Sequence, residues 1–446
     1  MGQKRPFAAT YSRICEEIPP LENLAPDPQI HEYTLINNNQ TNTIMLFKHI
    51  ITTLCIGCMI TPALVAKSKK ETKPEGYKFT TEIEVPITSI KNQSSSGTCW
   101  CFSALSFFES EILRNGYTDS LDLSEMFIVH NSYQEKGEKF VRLHGVLNFG
   151  QGSSFGNVLY GLKHYGIVPE WEMDGLNYGT DVHRHSELDG VLRAYLDVIV
   201  KNPNGTLSTA WKNGFKGILD AYLGECPETF TVNGKEYNPH TYMESLGINL
   251  DDYVDITSWT HRPFYEKMVI EVPDNWLWES SMNVPIDDLV AIIDNALKNG
   301  YTVAWASDVS ERGFNRDGLG IVPDYDALEI ELKETGSDQA RWIGAAKSDL
   351  YKKAFEAPCP ELKITQEMRQ EAYDNYQTTD DHGMQIFGIA RDQNGNKYYM
   401  VKNSWGDAGQ YKGIWYVSEA FVRYKTMDIL VNKNAIPGDI RAKMNF

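Results

Sequence analysis

Positive charge is scarce in this chain: 42 Lys and Arg face 60 Asp and Glu over 446 residues, a formal net charge of −18. A nucleic-acid partner needs a basic patch to meet phosphates, and no sustained Lys/Arg run supplies one, so that class of function is excluded. The densest basic stretch, Lys67 to Lys70 with Lys73 after it, follows an apolar segment and reads as a solvated linker. Cysteines are few and scattered, at positions 15, 55, 58, 99, 101, 226 and 359, which excludes a dense disulfide framework. Cys226 and Cys359 stay open as a pair for an oxidising compartment, whereas Cys55 and Cys58 form a C-x-x-C inside an apolar run and lack a redox context. Metal-ligand spacing is missing too. His183 and His185 form an H-x-H with no cysteine or carboxylate to complete a site, so they read as exposed histidines, and neither metal nor organic cofactor is expected. There is no internal repeat or low-complexity tract.

What remains is a globular composition, 42% hydrophobic and 23% charged, in a chain long enough for two or three domains. Residues 1–44 are weakly periodic and are expected to lie upstream of the working protein. From Met45 a short basic region, an apolar run from Ile50 to Ile60 and small residues up to Ala66 have the layout of a secretory signal peptide, so residues 45–66 predict export to the periplasm or exterior. A membrane anchor competes with this reading. However, Ile50 to Ala66 lies at the short limit of a span, roughly 17 to 25 residues, and contains threonines, a glycine and a proline. A lipoprotein modified at Cys58 is disfavoured by a poor lipobox. Residues 67–78 read as a linker.

The chain is organised around Asn92-Gln93-Ser94-Ser95-Ser96-Gly97-Thr98-Cys99-Trp100. A polar, Gly-containing approach leads into apolar residues at helical spacing, with Cys101, Leu105, Phe108 and Ile112 on one face and Asn115-Gly116 as a stop. Cys99 therefore opens a helix, where the helix dipole favours a thiolate and unpaired N–H groups can receive an oxyanion. A buried, inert cysteine is the competing reading. Ser124 predicts the cap of a second helix, and Asn157 to Tyr165 a third that ends at Gly166. Leu188, Val191, Leu192, Tyr195, Leu196 and Ile199 keep one helical face, as do Trp211, Phe215, Ile218, Leu219 and Tyr222. Pro285 opens a helix to Leu297 before a strand from Tyr301 to Ser307.

Near the end, Met384 to Ala390 and Lys397 to Lys402 flank Asp392-Gln393-Asn394-Gly395-Asn396, whose Asn-Gly signals a hairpin. Closing that hairpin brings its outer ends together, and with them His382 and Asn403. A cysteine nucleophile needs a base, and the base needs an orienting partner; Cys99, His382 and Asn403 are candidates for those roles.

Asn92-Gln93, Ser96-Gly97-Thr98-Cys99-Trp100 with Phe102-Ser103, Leu123-Ser124-Glu125, Asp381-His382-Gly383 and Lys402-Asn403-Ser404-Trp405-Gly406 together resemble the papain superfamily of cysteine peptidases. The match is recognition of a known signature and not a deduction from spacing. The resemblance implies an α+β, papain-like two-half fold. A helical half begins in residues 79–169, a mainly helical insertion with some core strands occupies 170–375, and a β-rich half with the tail covers 376–446. It implies Cys99 as nucleophile, His382 as acid/base, Asn403 as its orienter, and Gln93 with the Cys99 N–H as the oxyanion hole. Trp405 would shield the His382–Asn403 hydrogen bond, and Gly152, Trp405 and Asp381 would lie on the substrate-binding side.

Two departures narrow the branch. Ser96 stands where the family has a disulfide cysteine, and His382 follows Cys99 by 283 residues, against roughly 130 to 150 in the simple pattern. Both resemble the bleomycin hydrolase and aminopeptidase C branch, which implies aminopeptidase action on peptides with a C-terminal arm in the cleft, and homo-oligomers. Alternatives on the same residues are an endopeptidase, an acyltransferase and a non-catalytic peptide-binding protein.

Overall fold

The computed structural model describes residues 76–334 and 347–445. The expectations for the leader at 45–66, for the C-x-x-C and for most of the linker lie outside these residues. No helix among them is long and apolar enough to cross a membrane.

A short strand, β1 (Thr80–Glu84), precedes the nucleophile loop. Helix α1 (Cys99–Arg114) follows, stops at Asn115 and turns away through Gly116 at φ +90°. The expected face of Cys101, Leu105, Phe108 and Ile112 is fully buried, worth about 1.5–3 kcal/mol for each of the large side chains. The burial is not one-sided, however. Trp100, Ala104, Phe107, Ser106, Ser110 and Glu111 are buried as well, because α1 lies between the two halves of the molecule.

On one side of α1 stand α2 (Glu125–Arg142), capped by the Ser124 hydroxyl accepting from the Phe127 N–H at 3.0 Å, and α3 (Phe155–Tyr165). Helix α3 starts two residues before the apolar pattern suggests, since Ser154 and Asn157 form a reciprocal capping box. Helices α4 (Ser186–Val200) and α5 (Ala210–Leu223) extend this layer. They bury Leu188, Leu192 and Leu196 on one and Trp211, Phe215 and Leu219 on the other, while Val191 points outward at 39% exposure. A hairpin of β2 (Phe230–Val232) and β3 (Lys235–Tyr237) and a short helix α6 (Pro239–Ser245) complete it.

The other side is a sheet built from strands β4 (Tyr253–Thr257), β5 (Lys267–Val269), β6 (Ser280–Asn283), β7 (Val303–Ser307) and β8 (Leu319–Gly320). It is completed by β9 (His382–Arg391), β10 (Lys397–Lys402), β11 (Ile414–Ser418) and β12 (Thr426–Asn432). Their order is β5-β6-β4-β12-β7-β9-β10-β11-β8, with β1 also paired to β9. Residues 170–375 contribute both helices and strands. Their strands β4 to β8 enter the main sheet, while helices α8 (Tyr325–Glu334), α9 (Lys347–Glu356) and α10 (Gln366–Asp374) lie between β8 and β9 in sequence. Helix α7 (Ile286–Lys298) and α11 (Glu419–Lys425) cover one sheet face with Leu289, Ile292, Ile293 and Phe421. The tail ends in α12 (Gly438–Lys443), whose Ile440, followed by Met444, packs into the same cluster.

The hairpin forms as expected, with Arg391 opposite Lys397 and Gln385 opposite Lys402. Gln385, fully buried in β9, joins the halves. Its Oε1 accepts from the Ser106 hydroxyl at 2.7 Å, and its amide donates to Ser110 Oγ at 2.8 Å and Thr302 Oγ1 at 3.0 Å. A buried amide with its hydrogen bonds met fixes the register of α1 on the sheet more sharply than apolar contact alone.

Cys226 packs against the helical layer and Cys359 against a separate cluster with Tyr77 and Leu319; both keep their thiols, so they do not pair.

Candidate active site

The loop entering α1 is tied from several sides. Lys91 reaches the start of α2, donating to Glu125 Oε1 at 2.8 Å and the Leu123 carbonyl at 2.9 Å and pairing with Asp122 at 2.5 Å. Ser96, where a disulfide cysteine was the family expectation, closes the loop by hydrogen bonds. Its hydroxyl donates to the Gln93 carbonyl at 2.8 Å and lies 2.6 Å from Thr98 Oγ1. Gln151 clamps the far side. Its Oε1 accepts from the Gly97 N–H at 2.7 Å, and its carbonyl accepts from Trp100 Nε1 at 3.0 Å. A Cβ on Gly97 would come within 2.8 Å of Gln151 Cβ, which is why that position is glycine.

Cys99, Gln93 and His382 line one cavity of about 670 Å³. His382 Nε2 lies 2.7 Å from Asn403 Oδ1. An amide oxygen only accepts, so Nε2 carries the proton and Nδ1 is left as the basic nitrogen. Trp405 stacks on the imidazole at 4.8 Å and 28°, and is braced edge-on by Trp415 at 5.3 Å. Gln93 is held by its own side chain, which accepts from Ser404 Oγ at 2.5 Å and donates to the Ser96 carbonyl at 2.7 Å. One amide hydrogen remains for the cavity.

Gly383 sets the approach of the two halves. A Cβ there would lie 2.5 Å from Ser103 Oγ and 3.2 Å from the Cys99 carbonyl, so the strand bearing His382 presses on the first turn of α1 without a side chain between them. The N–H groups of Gly383 and Trp100 hydrogen-bond the thiol and favour its anion, as expected for a helix start, but burial is the larger effect and pushes Cys99 up to about 12, with Asp380 and Asp274 adding to the rise. Burial likewise pushes His382 down to about 4, against the Asn403 hydrogen bond and Asp381. Each group alone is neutral at pH 7. Charge appears on both together, when the proton crosses from sulfur to Nδ1 and the two ions stabilise each other in a medium of low dielectric. Cys99 is partly open to the cavity, so the push on its thiol is greatest once a substrate has displaced water.

The other expected residues divide. Gly152 lines the cavity, pressed by Asp274, whose Oδ2 would lie 1.8 Å from an added Cβ. Its carbonyl, with that of Gly150, accepts from the buried Lys136 at 2.8 Å. Asp381 also lines the cavity, but its carboxylate accepts from the Ser310 N–H at 3.0 Å and the Thr379 hydroxyl at 2.8 Å; against burial, a hydrogen bond with Asp308 and then these donors hold it below the usual range. It fixes the loop after β7 and is not free for substrate. Trp405 is not among the residues lining this cavity; it stacks on His382 and remains half-buried. Among the described residues of the tail, where the resemblance implies an arm in the cleft, none enters it. Residues 438–445 pack beside α7, and none of them lines the cavity.

His183 and His185 are buried, not exposed, at 7% and 0%. They bracket the nucleophile loop: the Ser95 N–H donates to the His183 carbonyl at 3.0 Å, and the His185 N–H to the Ser95 carbonyl at 3.1 Å. Among the described residues no group of three metal-ligating side chains includes them. Burial and the neighbouring His183 push His185 from 6.5 down to about 4. The unfolded chain therefore binds that proton first, and stability present above pH 6.5 is lost as pH falls toward 4, by roughly 3 kcal/mol. His382 acts in the same direction. Urea unfolding at pH 7 and pH 4.5 is expected to show this loss, and His185→Phe to remove about half of it; an unchanged pH slope in the variant would contradict the assignment.

Sequence reasoning missed Gln151 and the His183–His185 brace, whose partners lie far away in the chain, and Lys136, whose partners Gly150 and Gly152 lie in the loop after its own helix. It also passed over Asp255, Asp380 and Asp428, which line the same cavity. Asp428 carried a signal, an acid within the apolar strand Thr426–Asn432, every residue of which is buried.

The comparisons agree with this geometry. The model of the Peptidase C1-like family matches residues 45–144 and 333–446. Aminopeptidase C of Streptococcus thermophilus is 22% identical over 405 residues, covering 81% of this chain and 84% of that protein. Aminopeptidase C of Lactococcus lactis subsp. lactis is 23% identical over 399 residues, covering 80% and 83%. The solved structure of PepW from Lactobacillus rhamnosis HN001 superposes with a TM-score of 0.60 at 21% identity, covering 82% of this chain and 84% of that one, and shares the fold.

Proposed function

Because the chain belongs to the Peptidase C1-like family of papain-like cysteine peptidases, we propose that it is a cysteine aminopeptidase of the bleomycin hydrolase-like branch. The observation that carries the reading is the convergence of Cys99, His382 and Gln93 on one cavity, with His382 oriented by Asn403 beneath Trp405. Relatives named aminopeptidase C that align along four-fifths of the chain support the exopeptidase assignment.

The Cys99 proton passes to His382 Nδ1 as sulfur bonds the peptide carbonyl carbon. The oxyanion receives the free Gln93 amide hydrogen and the Cys99 N–H, which has no acceptor within the helix. Collapse breaks the C–N bond, and the leaving amine takes the proton from His382. Water then gives a proton to His382 and attacks the thioester, which frees the acid and restores the thiol. Peptides are the proposed substrates; export through a leader at 45–66 is proposed from the sequence pattern alone.

The test is a digest of free and N-acetylated forms of the same peptides by protein beginning at Lys67. Stepwise loss of N-terminal residues from the free forms, with the acetylated forms resistant, is expected. Internal cleavage of both at similar rates would instead support the endopeptidase reading.

A further inference from the structure

Three carboxyl groups from separate segments line the cavity that holds Cys99. Strand β12 lies beside β4 with Asp428 opposite Thr257 and Leu430 opposite Asp255, so Asp255 and Asp428 are diagonal neighbours across the pair. Both line the cavity, together with Asp380, which precedes His382 by two residues. Asp428 is 7% exposed, the two carboxylate oxygens of Asp255 are buried and accept from no charged donor, and the two carboxyl groups lie close enough to share a proton, with Ser281 beside Asp255. Lys163, Lys267 and Lys433 line the same cavity, yet burial is the largest influence on each of the three acids and pushes each up, Asp255 to about 7 against hydrogen bonds with Ser281 and Asp428 that lower it. A central strand that places an acid in this setting gives up apolar burial, a cost that a proton shared between Asp255 and Asp428 offsets in the empty cavity and that a cation entering from the cavity offsets once it is filled.

Resting on the aminopeptidase reading above, we infer that Asp428, Asp255 and Asp380 form the anchor for the free α-ammonium group of the peptide substrate. Position argues for it. Asp380 and Asp274 are near enough to Cys99 to raise its thiol, so a cation held among these acids sits close to the reacting carbonyl. Residues 438–445 do not line the cavity. A primary ammonium, with three donors, suits carboxylates on separate strands. Its arrival also removes the negative field acting on the thiol, which couples substrate binding to formation of the attacking thiolate.

The ammonium could belong to the chain terminus or to a lysine side chain, and four substrates separate the two. Alanine 4-nitroanilide and its N-acetyl form report terminal recognition. N-Acetyl-lysyl-alanine 4-nitroanilide against its norleucyl counterpart reports side-chain recognition. In Asp428→Asn the ratio of kcat/KM for free over acetylated alanine anilide is expected to fall at least tenfold, mainly through KM. Asp255→Asn carries the same expectation and serves if the first variant does not fold. A loss of activity that leaves this ratio intact would mean a purely structural role and overturn the inference. So would a lysyl-over-norleucyl preference that disappears in the variant while the free-over-acetylated ratio stays. Failure of the underlying reading looks different: the unmodified protein would then show no preference for the free anilide.

Discussion

Replacing Cys99 with alanine is expected to lower kcat/KM on alanine 4-nitroanilide by on the order of 10⁴-fold or more, because no other group in the cavity can form the acyl intermediate. His382, with its basic Nδ1, remains in place, but a base without a nucleophile must use water unaided. The variant should stay folded. The Cys99 side chain is partly open to the cavity, so shortening it leaves no enclosed void in the core, and the first turn of α1 remains fixed through the Ser103 hydroxyl donating to the Cys99 carbonyl at 2.7 Å. Urea unfolding of the variant within about 1 kcal/mol of the parent, with turnover gone, is the expected pair of results. Turnover within tenfold of the parent would remove Cys99 from the mechanism altogether.

Gln93→Ala should show the second-largest effect, about 10²- to 10³-fold in kcat with little change in KM, since an oxyanion donor acts on charge that develops only in the transition state. The side chain also holds Ser404 and the Ser96 carbonyl, so a stability loss of about 1–2 kcal/mol accompanies it. Ser404→Ala separates the two effects. It removes the Ser404 hydroxyl from Gln93 Oε1 but leaves the donating amide, and should lower kcat less than tenfold. Equal losses in the two variants would mean that Gln93 acts only as a brace.

These expectations share one physical feature. The same burial that pushes the Cys99 thiol up to about 12 and His382 down to about 4 makes proton exchange between them the cheapest way to form an ion pair. A preformed donor such as Gln93 is worth more in that setting than in water, because it needs no reorganisation as charge moves.

Local rules determined much of this from the chain alone. Helix starts and stops at Ser124, Asn115-Gly116 and Gly166, and the Asn-Gly turn of the β9–β10 hairpin, depend on backbone geometry within a few residues, and each lies in the structure where its signal stands. The pairing of His382 with Asn403 follows from hairpin register, also a local property. Tertiary structure decided what depends on segments distant in sequence. It showed that α1 is buried on nearly all sides, where strands β4 to β8 stand in the order of the main sheet, that His183 and His185 brace the nucleophile loop, and that residues 438–445 pack beside α7. The acids on β4, on β12 and before β9 become one group only when the sheet sets them beside Cys99. An apolar or polar residue declares its preference for burial locally, but which partner meets it there is set by packing between distant segments.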